Sequence, residues 1–502
     1  MLKLYAGGTF LTMEEAQPTA EAVLTEDGII RAAGTEDEMR RLAGTEEMEI
    51  VSLNGMTVLP GFIDGHSHLT AAAYQILNVN LNPPPTGTCS SREDVIEALK
   101  NGLSKRRLQP GQWLMGMGYD NSAFPDGRHL TKEDLDLVSR EVPVAALHVS
   151  GHLCVVNTKG MEVMGYLEEG FEVPAGGVVE KTGLLKEQAF LGSDKMTGPS
   201  QEEVLKAVEQ ASALYASYGI TTAQDARTRE GEYQLLRAAG EAGFLKTDVV
   251  SYLAPELAES ILPKQVPDKN IYENHLRLGG LKLFLDGSPQ GKTAWLSEPY
   301  YEVPEGENGD YQGFPVQEES YVTSVLEKAV ENDWQINVHA NGDEAIEQLI
   351  RCYKAAAEKL GKGRELRPVV IHCQTVRPDQ LDRMKEIGMM ASFFLDHVFY
   401  WGDYHYESVL GPERAERISP LRSALERGIP FTLHQDTPVV PPNVLFSIHN
   451  AVNRRTRSGR ILGPNQRITV KEALKAVTVW GAYQLFEEEH KAVLRRERRR
   501  IL

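Results

Sequence analysis

Cysteine is scarce in this chain. Four occur in 502 residues (Cys89, Cys154, Cys352 and Cys373), and none forms a CxxC pair. That usage excludes a disulfide framework and fits a reducing compartment, so the expected location is cytoplasmic. Long apolar runs are missing too. No stretch reaches the ~18 apolar residues of a membrane-spanning helix, so no membrane partner is expected. The opening MLKLYAGGTFLTMEEAQP has no apolar core followed by a small-residue cleavage site, so no secretory signal is expected. Positive charge is in deficit: 53 Lys and Arg stand against 71 Asp and Glu, for a net charge of −18. With no basic stripe interleaved with aromatics, nucleic acid is not an expected partner. The basic run Arg495-Arg496-Glu497-Arg498-Arg499-Arg500 reads as a solvated helix end. No collagen-like or heptad period is present, and apolar segments recur throughout, which excludes a fibrous or disordered chain.

What is present is a change of texture near residue 59. Residues 1–58 alternate apolar and polar residues around Gly and Asp-Gly turns, the pattern of a small β-sandwich-like domain. Beyond them, eight strand candidates alternate with helical stretches. They are VLPGFIDGH, ITTAQDA, FLKTDVVSYLA, LKLFLDG, WQINVHANGD, RPVVIHCQ, MMASFFLD and IPFTLHQD. The helical stretches include 201–218, 319–332, 342–359, 378–387 and 420–428. This is the order of an α/β chain folded as a (β/α)8 TIM barrel. A first barrel segment covers 59–79 and the remaining barrel covers 201–468. Between them, residues 80–200 are too long for one crossover and read as an inserted α+β domain over the active site. A second long segment, 287–316, reads as a lid or pocket loop. Residues 469–502 read as a closing helix and charged tail, with Thr469 and Glu472 spaced as a capping box.

The 13 histidines carry the chemistry. A lone histidine is more often structural than a ligand. His66 and His68 differ because side chains at i and i+2 of an extended strand share a face, so both imidazoles can reach one metal from the end of the first barrel strand. His339 ends WQINVHANGD and His372 ends RPVVIHCQ, one β-to-β repeat apart, so each can give an imidazole to a second metal. Asp436 ends the eighth strand candidate, where a carboxylate can ligate metal and accept a proton from water. His434, two residues earlier, either supports Asp436 or faces substrate. Lys282 lies inside a strand among Leu281, Leu283 and Leu285, and a buried lysine needs a reason. It either snorkels or pairs with a carboxylate, or its amine has taken up carbon dioxide to form an anionic, metal-bridging carbamate. Cys373, next to His372, points the other way as a small buried hydrophobe. Asp64-Gly65 and Asp286-Gly287 read as strand-end shapers, and His152 in the insertion either reaches substrate or serves loop structure. Trp295, Phe124, Tyr119, Phe399 and Trp401 are either aromatic pocket walls or core.

The segments VLPGFIDGHSHL, SGHLCVVN, YGITTAQDA, GGLKLFLDGSPQGKTAWL, INVHANGDEAI, VIHCQ, FTLHQDTPV and ITVKEALKAVTVWGAYQL carry a resemblance over roughly residues 1–486. The chain resembles the amidohydrolase superfamily, most closely its family 3 branch of YtcJ-like proteins, which includes an N-substituted formamide deformylase. The resemblance implies a metal-dependent hydrolase on a (β/α)8 barrel, with His66, His68, Lys282, His339, His372 and Asp436 as the metal-site residues. It also implies two divalent ions, expected to be zinc. His66, His68 and Asp436 would hold one, His339 and His372 the other, with Lys282 as the carboxylated bridge. Two departures stand out. Relatives continue past the closing helix into a Gly-rich, strand-forming segment, whereas this chain reads EEEHKAVLRRERRRIL, so the small β domain is expected to keep an exposed edge or to have it covered by a partner, which leaves room for a homo-oligomer. In DGSPQGKTAW, Gln290 and Lys292 replace residues common in relatives and are expected to adjust the pocket.

The reading is hydrolysis of a C–N amide bond of the N-acyl or N-formyl type in a small-molecule substrate. A metal-activated hydroxide attacks, Asp436 serves as general base and acid, and His152 is a further candidate. The alternatives are a deaminase acting on a heterocycle, a lactonase or esterase, and a non-enzymatic metal-binding protein.

Overall fold

Eight apolar segments form one curled parallel sheet. In chain order its strands are Phe62–Ile63, Ile220–Thr228, Asp248–Leu253, Leu276–Phe284, Gln335–Ala340, Val369–His372, Met390–Phe393 and Phe431–Leu433, called barrel strands 1 to 8 below. Every neighbouring pair is parallel and the sheet order is the chain order. The fold is therefore α/β, a distorted (β/α)8 barrel flanked by additional sheets. The computed structural model describes residues 1–502 except 85, 150–152, 175–176, 191–192, 194, 197–198, 266–270, 305, 361–364 and 496–502. The chain divides into two units. One is Met1–Leu69, Ser212–Thr437 and Pro442–Leu502; the other is Thr70–Ala211 with Pro438–Pro441.

The helices follow from their apolar spacing. Asp343–Leu360 starts on two acidic residues, which favour the positive end of a helix dipole. It buries Ala345, Ile346, Leu349, Ile350, Tyr353 and Ala356, a stripe at three- and four-residue steps. Glu319–Glu331 buries Val322, Val325, Leu326 and Ala329 in the same way. Residues 285–316 contain neither helix nor strand among those described.

No ladder joins strand 8 to strand 1 among the described residues; side chains join them instead. Gln484 Nε2 donates to the Gly65 carbonyl (2.9 Å), and Thr432 Oγ1 of strand 8 donates to Gln484 Oε1 (2.7 Å). Gly65 is required by this approach, because a Cβ there would lie 2.5 Å from Thr432 Oγ1. The closing helix is two helices, Val470–Ala476 and Val479–Gln484, the first begun by the expected Thr469/Glu472 capping box. They part at Thr478, whose Oγ1 donates back to the Leu474 carbonyl (2.6 Å). A β-branched hydroxyl bonding four residues back competes with the helix. The break leaves the Val477 carbonyl free to accept from Ile63 N of strand 1 (2.9 Å).

Residues 1–58 form a four-stranded and a three-stranded sheet, with Met48–Ser52 at an edge of the former and Ile50 exposed on it. The alternation reading missed one element, the helix Glu36–Ala43, although Thr35 and Glu38 make a full capping box. The stretch after Gln484 is more buried than its charge suggests. Leu494 joins Phe10, Val23, Ile30 and Leu53 in a core cluster. Arg495 pairs with Glu14 (3.0 Å), and the rest of the basic run lies outside the described residues. The second unit carries a six-stranded sheet whose core includes Leu99, Tyr119, Phe124 and Val155. No described helix is long and apolar enough to cross a membrane.

Below strands 3 and 4, Glu487 pairs with Arg277 (2.8 Å) and Lys491 (2.6 Å), and Lys491 also reaches Asp248 (2.8 Å). Arg277, Glu487 and Lys491 are at most 5% exposed. Removing one partner of such a group leaves buried charge uncompensated. Glu487→Ala is expected to cost about 3–5 kcal/mol in urea denaturation. A loss below about 1 kcal/mol, the value of a surface pair, would mean that the group is effectively solvated.

Candidate metal centre

Strand ends bring the candidate residues together. Strand 1 stops at Ile63, so His66 and His68 do not continue it as a regular strand. They are fixed instead by bonds from His68 N to the Thr437 carbonyl (2.9 Å) and from His68 Nδ1 to the Ala226 carbonyl (2.9 Å). The latter holds the proton on Nδ1 and leaves Nε2 facing the cluster. Their rings lie 5.0 Å apart. Asp436, three residues beyond strand 8, puts Oδ1 at 3.5 Å from His66 Nε2 and 3.3 Å from His68 Nε2. Lys282, wholly buried in strand 4, has Nζ 3.0 Å from His66 Nε2. His372 ends strand 6, and its ring is 4.6 Å from that of His339 in strand 5 and 5.9 Å from that of His66. Ligand atoms of His66, His372 and Asp436 lie within 4.8 Å of one another, a spacing that can hold one ion. His68, Lys282 and His339 border this trio. His152 lies outside the described residues.

Burial sets the protonation states. It pushes His66 well below the usual imidazole range, aided by Lys282, and does the same to His372, aided by His339. It brings Lys282 down to about 7 and Asp64 up to about 6. Burial would also raise Asp436, but the His68 imidazole beside it, 3.3 Å from Oδ1, outweighs burial and holds the carboxyl below its usual range. His68 shifts upward, because Asp436 more than offsets its own desolvation. The centre thus offers the neutral imidazoles of His66 and His372, a carboxylate and an amine brought close to neutrality. Two of its atoms, His66 Nδ1 and Asp436 Oδ1, are buried without a hydrogen bond. Such a donor set suits a divalent cation such as zinc, and a cation offsets the cost of burying these groups.

A supporting layer orients the set. Asp286 accepts from Asn341 N (3.0 Å), Gly342 N (2.7 Å) and Trp295 N (3.1 Å), and meets His339 Nδ1 at 3.1 Å. Ser392 Oγ lies 2.8 Å from His434 Nδ1, and His434 Nε2 lies 3.2 Å from His372 Nδ1. His434 therefore supports His372, a role its place beside Asp436 does not suggest. Asp286 is also more than a strand-end shaper; its signal was its position four residues after Lys282, on the same strand face. His372 (φ 71°), Cys373 (φ 48°) and Asp436 (φ 52°) have left-handed backbones. Such conformations cost non-glycine residues energy and cluster at functional sites. No sequence pattern announces them.

Of the aromatic candidates, Tyr119 and Phe124 are core of the second unit. Phe399 packs on Phe446, and Trp401 packs beside His397. A cavity of about 320 Å³ elsewhere in the barrel unit is lined by Leu296, Asp343, Arg377, Arg414 and others, with none of the candidate ligands among them. Its Arg377 and Asp343 already pair at 2.9 Å. The candidate ligands gather instead in the histidine cluster, where His66 Nδ1 and Asp436 Oδ1 lack hydrogen-bond partners.

A model of the Amidohydrolase family matches residues 49–496. The N-substituted formamide deformylase of Arthrobacter pascens is 26% identical, over 94% of this chain and 87% of its own. YtcJ of Bacillus subtilis (strain 168) is 26% identical, over 97% of this chain and 91% of its own. Among solved structures, an uncharacterized metal-dependent hydrolase from Pyrococcus furiosus superposes with a TM-score of 0.78 at 26% identity, covering 100% of this chain and 98% of that one.

Beyond Phe394, His397 Nδ1 lies 3.2 Å from His405 Nε2, which also receives Gln374 Nε2 (3.1 Å). Burial pushes His405 down to about 3. The unfolded chain therefore takes up a proton near pH 6.5 that the folded protein refuses until about pH 3. Stability is full above pH 6.5 and falls through that window, by ~1.4 kcal/mol per pH unit for each such histidine. His405→Gln is expected to flatten the urea-midpoint profile between pH 6.5 and 4 by about one histidine's slope. An unchanged profile would mean that His405 titrates normally.

Proposed function

The chain belongs to the amidohydrolase family and is a metal-dependent hydrolase; on that premise we propose that it cleaves a C–N amide bond of the N-acyl or N-formyl type in a small molecule. The observation that carries this reading is Asp436, an ionised carboxylate whose Oδ1 lies within 3.5 Å of two strand-1 imidazoles and has no hydrogen bond of its own. The name of the Arthrobacter relative, a deformylase of N-substituted formamides, supports the bond type.

In this reading His66, His68 and Asp436 would hold one zinc ion, and His339 and His372 would hold a second. Bound divalent ions supply a hydroxide nucleophile at neutral pH and polarise the substrate carbonyl. The protein's own part is proton handling and orientation. Asp436 Oδ1 takes the proton of the attacking water and delivers it to the leaving nitrogen, and His152 is a second candidate for contact with substrate. The Ala226 carbonyl fixes the tautomer of His68, while Asp286 fixes the ring of His339. With its amine brought to about 7, Lys282 is partly unprotonated at neutral pH. A neutral amine adds to carbon dioxide through its nitrogen lone pair and sheds one proton, which leaves a carbamate with one negative charge and two oxygens. Those oxygens would add two ligand atoms to the imidazoles and carboxylate of the centre.

Asp436→Asn is expected to lower kcat on N-formyl and N-acyl substrates by about 10²- to 10⁴-fold. Near-wild-type turnover with full metal content would exclude Asp436 as the base. Ammonia rather than an acid and an amine among the products would point to a deaminase. Zinc uptake by stripped protein is expected to reach two ions per chain, and to slow in buffer depleted of carbon dioxide until bicarbonate is added. A single ion bound with no bicarbonate effect would leave Lys282 as a structural amine.

A further inference from the structure

Arg227 stands out in barrel strand 2. It follows Ala226, whose carbonyl receives His68 Nδ1, and its φ of 57° is left-handed. The ladder between strands 2 and 3 shifts register between Ala226 and Thr228, so Arg227 is a bulged residue. Bulges re-aim side chains and are common beside active sites. The Arg227 side chain is half-buried, 36% exposed, and a strained backbone at such a residue calls for a reason.

The bulge aims the guanidinium at Phe284, with its central carbon 5.4 Å from the ring centroid. The same ring has Lys282 Nζ 5.2 Å from its centroid and the His339 ring at 4.9 Å. One aromatic ring therefore separates the guanidinium from the metal centre. A cavity of about 220 Å³ is lined by Arg227, Phe284, Asp286, Pro255, Val316 and Tyr321 among others, and so shares Phe284 and Asp286 with the centre's surroundings. Little neutralises the arginine. Glu256 approaches one guanidinium nitrogen at 3.8 Å and is 60% exposed, a weak pair. The oxygens of Asp286 are taken by three backbone amides and His339. Among the described residues the Arg227 guanidinium makes no hydrogen bond. A planar fork of free donors against a ring and aliphatic walls matches a carboxylate held through two parallel bonds.

The geometry points to Arg227 as a carboxylate-recognition site at the barrel mouth, so that the amide cleaved beside His66 and His372 carries a carboxylate on the portion lying against Phe284. This rests on the hydrolase reading for the cleavage, but not for the binding. Calorimetric titration of the full-length protein with phenylacetate and with phenylacetamide, both zinc-loaded and zinc-stripped, separates the two. Phenylacetate is expected to bind about tenfold more tightly than the amide, with or without zinc. Arg227→Gln and Arg227→Gly are expected to abolish that preference without changing zinc content. The glycine variant suits the left-handed backbone and so guards against misfolding as the cause. Equal binding of acid and amide, no binding of either, or a preference that survives both substitutions would overturn the proposal. So would tighter binding of benzylphosphonate than of phenylacetate. A preference that holds while no N-acyl or N-formyl compound is hydrolysed would overturn the amidase reading alone.

Discussion

The 3.0 Å contact between the amine of Lys282 and the imidazole of His66 sets the terms for the barrel interior. Neither nitrogen can carry charge cheaply there, because water is excluded and, among the described residues, no carboxylate lies at hydrogen-bond distance from the amine. Desolvation therefore moves both groups toward their neutral forms. Between neutral groups the amine can donate to the imidazole, and the amine's own lone pair is left for a cation or an electrophile. Parallel barrels usually fill this space with layers of Val, Ile and Leu. Here the layer beneath the centre is polar and bonded together. Gln224 donates to the Asp64 and Gly65 carbonyls, Asn337 donates to Gln224, and Tyr252 donates to Gln335.

Rigidity is reached by different routes at different strands. At strand 1, backbone bonds from neighbouring loops clamp the two histidines. Strand 5 relies on a buried carboxylate that already satisfies three amides before it touches His339. Strands 6 and 8 rely on left-handed turns at His372 and Asp436, which swing side chains inward from where a regular strand would carry them. Strand 2 contributes no candidate ligand, but its bulge turns Arg227 toward the same space. The centre is thus made from local departures from regular strand geometry, fixed in place by the regular barrel around them.

That division explains what could be read in advance. All eight strands were legible, because short apolar runs separated by amphipathic helices have few other solutions. So were His66, His68, Lys282, His339, His372 and Asp436 as a converging set, since each sits at or near a strand end in barrel order. The left-handed residues, the Arg227 bulge and the pairing of His434 with His372 were not legible, because they arise from contacts between residues far apart in sequence. The helix Glu36–Ala43 was hidden among alternating strands, although its capping box was visible. The break at Thr478 was hidden because helix propensity alone runs through it; what stops the helix is a carbonyl needed by strand 1. His152 stands outside the described residues.

The link between Gly65 and Gln484 spans 419 residues. A chain growing from a ribosome has finished strand 1 long before the glutamine that seals it exists. Until then one flank of that strand has no permanent neighbour, and its unpaired backbone is open to mispairing. Completion of the barrel must wait until residue 484 has been made. Non-local closure of this kind is slow, so the nascent protein passes through an extended interval in which the histidines of the candidate centre are already made but not yet assembled.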